Sequence, residues 1–284
     1  SKVRFITPPT GGSFGGKQDP WPFTATALAV FHTRQPVRLS YSRRESFLAS
    51  PKRHPYHVHY RLGADQEGLL TGIEVDIQAN TGGYDAHGQY IANYALTASG
   101  GPYRYRAVRG TARSVYSNGP KAGQFRGFGA PQSIYALECT LDEMAQTLEM
   151  DTLELRRINA LQQDTPSFLG YPVAESLGYD AVMDAIQPHY RVYLQETREF
   201  NASSRNQRMG VGLAGMWYRF GKSGSLVSEA HAELTGQGAI NIYCSAPDYG
   251  QGTNTVMAQL AAQTLGVSRE RVSIINADTA HTPD

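Results

Sequence analysis

Apolar positions recur along this chain at two spacings, and the spacing changes from segment to segment. Ile134, Leu137, Leu141, Met144 and Leu148 fall three or four residues apart, which predicts a helix over 130–150. The same spacing at Thr24, Leu28 and Phe31 predicts a helix over 21–31. Further helices are expected over 151–161 with Asp151 as N-cap, over 179–207, and over 255–266 with Gly266 as its stop. Elsewhere the period is two. Val37, Leu39 and Tyr41 alternate with polar neighbours and predict a strand over 35–43. Residues 54–84 read as two strands joined by a polar, glycine-bearing turn. Residues 105–118 and 271–278 read as single strands, 225–245 as a hairpin turning at 235–238, and 209–220 as the start of a glycine-rich strand. The order of elements predicts an α+β fold, with mixed sheets and packed helices.

Composition narrows the class. The chain has 284 residues, 40% hydrophobic and 18% charged, enough for a substantial core. A net charge of +1 gives no electrostatic reason to expect nucleic acid or an acidic membrane as partner. No apolar run approaches 18 residues, so no membrane-spanning helix is predicted. The opening "SKVRFITPP" enters directly into a strand, does not read as a signal peptide, and reads as cut from something longer. Cys139 and Cys244 are too few for an iron–sulfur cluster or a cysteine zinc site and read as free thiols in a reducing, cytoplasmic setting. His54, His57 and His59 invite a metal reading. Only His57 and His59 share a strand face, and no carboxylate joins them, so they read as ordinary strand surface.

The candidate chemistry lies in the glycines, many of which cluster. Residues 11–17, "GGSFGGK", fit the start of a P-loop, which needs Ser or Thr after the lysine to hold magnesium. Gln18 stands there instead, and Pro20 and Pro22 follow where helix donors are needed. A nucleotide hydrolase is therefore disfavoured. A glycine loop leading into a helix recurs at 11–18, 123–132 and 250–255. Free N–H groups at a helix start bind anions. Gln18, Gln124, Gln132 and Gln251 add neutral amides and Arg126 a fixed cation. This mixture suits an extended polar cofactor carrying phosphate and a heterocycle better than a bare metal ion.

The segments "GGSFGGK" (11–17), "QFRGFGAPQ" (124–132) and "DYGQGTNTVMAQLAAQTLG" (248–266) closely resemble, in order and separation, signatures of the molybdenum-binding subunit of the xanthine dehydrogenase and aldehyde oxidase family. The resemblance covers nearly the whole chain. It implies two molybdopterin-binding-type domains, a first at 1–165 and an incomplete second beginning at 206–284, with a helical linker region at 166–205. It implies molybdopterin, as molybdenum cytosine dinucleotide, contacted by Phe14, Gly15, Phe125, Arg126, Gly250, Gln251 and Gly252, the metal being held by the pterin and not directly by protein. Phe128 matches a ring that sandwiches flat substrates. A second ring is expected from 215–220, where Trp217, Tyr218 and Phe220 are candidates. Gln18 and Tyr94 stand where purine-oxidising members carry Glu and Arg, so an aldehyde or N-heteroaromatic substrate is expected in place of xanthine. No cysteine occurs in 117–130, where carbon monoxide-oxidising members carry one.

Family enzymes hydroxylate a C–H bond with oxygen from water, using a glutamate general base. That base is expected after residue 284, together with the remaining C-terminal half of the subunit. The 2Fe-2S and FAD groups are expected on partner subunits or domains, so the chain alone is expected to be inactive. The alternative is a cofactor-less scaffold or assembly partner of the same fold.

Overall fold

The computed structural model describes residues 3–173, 176–218 and 227–283. The chain divides into two units, residues 18–219 and residues 1–17 together with 220–284.

In the larger unit, α1 (Trp21–Thr33) begins with a proline in its first turn, where a missing N–H costs no hydrogen bond. The strand expected over 35–43 does not form: residues 35–42 are irregular. Alternation predicts a face but supplies no partner, and Leu39 remains 45% exposed. A short helix, α2 (Arg43–Ala49), follows. Its signal is the reciprocal cap of Ser42 and Glu45, in which each side chain bonds the other residue's backbone N–H.

The two strands expected within 54–84 are β1 (Tyr56–Ala64) and β2 (Leu70–Gly82), paired antiparallel. β2 is central and buries Leu70, Ile73, Val75, Ile77 and Ala79. A helix without a sequence expectation, α3 (Gly88–Ala98), carries the chain across to β3 (Ala107–Tyr116), which pairs parallel with β2. The outer face of this sheet is a charge ladder, with Glu74 and Asp76 facing Arg61, Arg109 and Arg113. His57 and His59 are exposed on β1, whereas His54 is buried ahead of it. α4 (Ala130–Thr147) and α5 (Thr152–Ile158, capped by Asp151) form as expected. Leu137, Leu141 and Leu155 close the core over β2. The last helix of this unit is α6 (Tyr179–Ser203). The glycine-rich run at 209–218 forms no strand among the described residues.

The other unit repeats the plan of β1, β2, α3 and β3. β4 (Ala230–Leu234) and β5 (Ile240–Cys244) form the expected hairpin; α7 (Thr253–Leu265) then crosses to β6 (Val272–Asn276), parallel to β5. Gly266 ends α7 in the left-handed conformation, as its position predicts. The chain's start joins this unit: Ile6 bridges Asp278, Thr7 N–H donates to Ala277 O, and Arg4 pairs with Asp278. The hydrogen bond from Arg4 pulls the Asp278 carboxyl down to about 2.

A buried guanidinium lies inside the larger unit, paired with carboxylates. Arg156 is fully buried and its Nε donates to Glu138 Oε2 at 2.8 Å; its Nη2 lies 2.9 Å from Asp142. Burial alone would pull the guanidinium down, but the neighbouring Glu138 carboxylate raises it above its ordinary value. Removing one partner strands the other. Arg156→Met is expected to cost about 3–5 kcal/mol, read as a lower urea midpoint, whereas a change within about 0.5 kcal/mol would contradict the pair's structural weight.

Candidate functional site

In the larger unit the segment 124–129 is a tight loop. Phe128 N–H donates to Phe125 O at 2.8 Å, and Gly127, Phe128 and Gly129 take φ values of 87°, 53° and 91°. Three successive left-handed residues are costly unless glycine supplies most of them. At Gly129 the need is also spatial: a Cβ would lie 2.8 Å from Tyr56 Oη and 2.9 Å from Ala95 Cβ. The chain therefore passes directly over β1 and α3 as it enters α4.

Arg53 braces this loop. Its guanidinium donates to Arg126 O at 2.6 Å and to Gln132 Oε1 at 3.1 Å, and lies 4.8 Å from the Phe125 ring centroid. Gln132 in turn donates to His54 O, and Gln124 meets His87 Nδ1 at 3.2 Å. The amides of Gln124 and Gln132 thus brace protein. Arg126 is exposed.

The left-handed Phe128 places its ring in an aromatic cluster. Tyr94 stands perpendicular to it at 5.3 Å, Tyr90 edge-on at 5.5 Å, and Tyr218 lies 5.7 Å from Tyr94. Spacing alone left Trp217 and Tyr218 open. The structure separates them: Trp217 turns into an apolar cavity beside Tyr179, Met183 and Leu213, and Tyr218 turns to Tyr94. Phe220 lies outside the described residues. Gln18 lies exposed two residues before the N-cap of α1, outside this ring cluster. Tyr90 and Arg53 are members that sequence reasoning missed.

In the other unit two glycine loops meet. Ser13 to Gly16 form a turn closed by Gly16 N–H donating to Ser13 O, with Phe14 and Gly15 at φ 52° and 89°. Phe14 is 62% exposed, and Ser13 Oγ is buried without a hydrogen-bond partner. A Cβ on Gly250 would sit 3.5 Å from Thr10 O and 3.6 Å from Gly12 N, so backbone of one loop faces backbone of the other. Asp248 orders the second loop by accepting from the N–H groups of Gly250, Gly252 and Asn254. Those bonds, Gly250's first, hold its carboxyl below the ordinary range. Gln251 folds back onto its own loop, accepting from Tyr249 N and donating to Thr253 Oγ1.

Residues 1–160 match the family model described as a molybdopterin cofactor-binding domain, and residues 185–284 match a second model of the same description. The chain belongs to the family of molybdopterin cofactor-binding domains. It is 33% identical to the putative xanthine dehydrogenase molybdenum-binding subunit of Escherichia coli (strain K12), covering 100% of this chain and 38% of that protein. It is 31% identical to the aldehyde oxidoreductase of Megalodesulfovibrio gigas, covering 98% of this chain and 31% of that one. The crystal structure of the aldehyde oxidoreductase from Desulfovibrio desulfuricans ATCC 27774 superposes with a TM-score of 0.92 at 30% identity, over 99% of this chain and 31% of that one. The chain thus spans about a third of the length of these relatives.

The donor set fits a molybdopterin. The paired loops present backbone, an unused buried hydroxyl at Ser13 and, within 11–17 and 247–254, a single carboxylate, Asp248, whose oxygens already serve amides. Such a surface can bind a pterin and phosphate through the Ser13 hydroxyl and the N–H groups that Asp248, Gln251 and the Ser13 carbonyl do not already hold. No cluster of three His, Cys, Asp or Glu stands together among the described residues.

Two measurements follow. A carboxyl held low in the folded state stabilises fully above its ordinary value of 3.8 and loses its effect as pH falls through the lowered one. Protection of the amides at 250, 252 and 254, taken relative to intrinsic exchange, is therefore expected to fall as pH drops through the lowered value, and to lose this dependence in Asp248→Asn. Arg53→Lys keeps a charge but loses the planar fork, at about 1.5–3 kcal/mol of charged hydrogen bonding. Molybdenum per protein in the full-length enzyme should fall measurably; parity with the parent would contradict the brace.

Proposed function

We propose that this chain is part of the catalytic subunit of a molybdenum hydroxylase that oxidises an aldehyde or N-heteroaromatic compound, with water as oxygen source. The observation that carries this reading is the Phe128–Tyr94–Tyr218 ring cluster set beside the Phe125–Arg126 loop. Flat aromatic surfaces hold flat or short apolar substrates by dispersion and edge contacts without needing a charge. When bound, the molybdopterin supplies a two-electron centre able to hydroxylate a C–H bond.

In this proposal Phe14, Gly15, Gly250, Gln251 and Gly252 contact the cofactor chiefly through backbone, because the Gln251 side chain is engaged within its loop. The family resemblance adds Phe125 and Arg126, in the loop that Arg53 braces, as cofactor-binding residues. Phe128, Tyr94 and Tyr218 orient the substrate and exclude water, with Gln18 and Phe220 as further pocket residues. The cofactor is molybdenum cytosine dinucleotide. The general-base glutamate, the 2Fe-2S and FAD partners and the rest of the subunit complete the enzyme, so residues 1–284 alone sustain no turnover. Cys139 and Cys244 are unpaired in the structure, which fits a reducing, cytoplasmic setting.

Gln18 and Tyr94 set the specificity. A purine presents several buried polar groups, and an amide and a phenol leave part of them unmatched. Each unmatched group costs about 1–3 kcal/mol, or roughly tenfold to hundredfold in kcat/KM. The molybdenum-loaded full-length enzyme is expected to prefer an aromatic aldehyde or nicotinate over xanthine by at least about tenfold. A preference for xanthine would overturn the substrate assignment, and protein without molybdenum or pterin would overturn the function.

A further inference from the structure

Glu138 sits on the buried side of α4 and is 4% exposed. Its Oε1 accepts from Tyr103 Oη at 2.8 Å, and its Oε2 accepts from Arg156 Nε at 2.8 Å and from Gly215 N–H at 2.9 Å. The last bond reaches across 77 residues to the segment that carries Tyr218. Residues 211–218 have neither helix nor strand ladder among the described residues, yet they alternate strictly. Val211, Leu213, Gly215 and Trp217 lie on the more buried side, and Gly212, Ala214, Met216 and Tyr218 on the exposed side. A slip of one residue in such a segment would exchange the two sides. It would turn Tyr218 away from Tyr94 and bring Trp217 out.

This seat admits only glycine, so Ala214 or Met216 cannot take it in a slipped register. A Cβ there would lie 2.3 Å from Tyr179 Oη and 2.6 Å from Tyr103 Oη, and these two hydroxyls are themselves 3.1 Å apart around the Glu138 carboxylate. Backbone N–H, carboxylate and two phenols therefore lock together at one point, three residues ahead of the pocket ring.

We propose that Glu138 is a positioning residue for the substrate pocket: through Gly215 it fixes the register of 211–218, and so the place of the Tyr218 ring against Tyr94. This rests on the reading of that ring cluster as the substrate wall. The buried ion pair with Arg156 then serves specificity as well as stability. Substrates that span the ring wall depend on the register, and substrates too short to reach it do not.

The test uses the full-length molybdenum-loaded enzyme as four proteins: parent, Glu138→Gln, Gly215→Ala, and Gly215→Ala combined with Tyr103→Phe and Tyr179→Phe. The second variant leaves the Glu138–Arg156 pair intact and displaces only the tethered backbone, so it keeps the test open if the first does not fold. Two readouts are taken at matched molybdenum content: amide exchange over 211–218, and kcat/KM for benzaldehyde and for acetaldehyde. The expected result in Gly215→Ala is exchange faster by tenfold or more over 211–218. Benzaldehyde kcat/KM should fall by tenfold or more, with acetaldehyde within about threefold of the parent. Partial recovery of benzaldehyde turnover is expected when Tyr103→Phe and Tyr179→Phe are added, since both close hydroxyls are then gone. Unchanged exchange overturns the tether, and equal losses for both aldehydes overturn the specificity role. A parent that oxidises neither aldehyde overturns the functional reading before any variant is made; the exchange readout then still decides whether Glu138 holds the segment.

Discussion

The structure turns on the carboxylate of Glu138 and the guanidinium of Arg156, two charges buried between α4 and α5. Burying charge is expensive, and a pair of this kind seldom repays its desolvation by attraction alone. Here the surrounding hydrogen bonds change the balance. Tyr103 and Gly215 fill the carboxylate, while Thr152, Asp142 and the Glu138 carbonyl fill the guanidinium. What such an arrangement provides is uniqueness. An apolar pair could hold the helices together, but it would not select one amide of an irregular segment and hold it in place.

The loops obey a different constraint. Phe14 and Phe128 are both non-glycine residues in the left-handed region, each followed by a glycine that is also left-handed. A phenylalanine at positive φ is strained, and strain of that kind persists where the surroundings over-determine it. Around Phe128 those surroundings are Arg53 on one side and the rings of Tyr90 and Tyr94 on the other. The effect in both loops is to present an aromatic ring beside bare backbone.

Much of this was legible in the residues, and the illegible part has physical reasons. The spacing of Ile134, Leu137 and Leu141 predicts α4, and Glu138 falls four residues after Ile134 on that same face, a signal that it would be buried. The partner it would meet at Gly215 lies too far along the chain for spacing to reveal. α2 was announced by the Ser42–Glu45 cap but hidden by the alternation of 35–43, which needed a neighbouring strand and found none among the described residues. α3 escaped because Ile91 is the one large side chain on its buried face, which is otherwise Gly88, Ala92, Ala95 and Ala98, and because its N-cap is a left-handed histidine. At the site, the motif residues Phe14, Phe125, Phe128 and Gly250 could be named only through the resemblance that their segments carry. Arg53 could not, since its role depends on a fold that brings it over a loop 73 residues away.

The central claim is that backbone-lined glycine loops, not liganding side chains, hold the cofactor. Crystals of the full-length protein, measured at the molybdenum absorption edge, test it most directly. The account predicts one anomalous peak, with pterin density hydrogen-bonded to main-chain N–H groups of the 11–17 and 247–254 loops and no protein side chain on the metal. Molybdenum bound by histidine, cysteine or carboxylate side chains, or pterin density away from those loops, would contradict it.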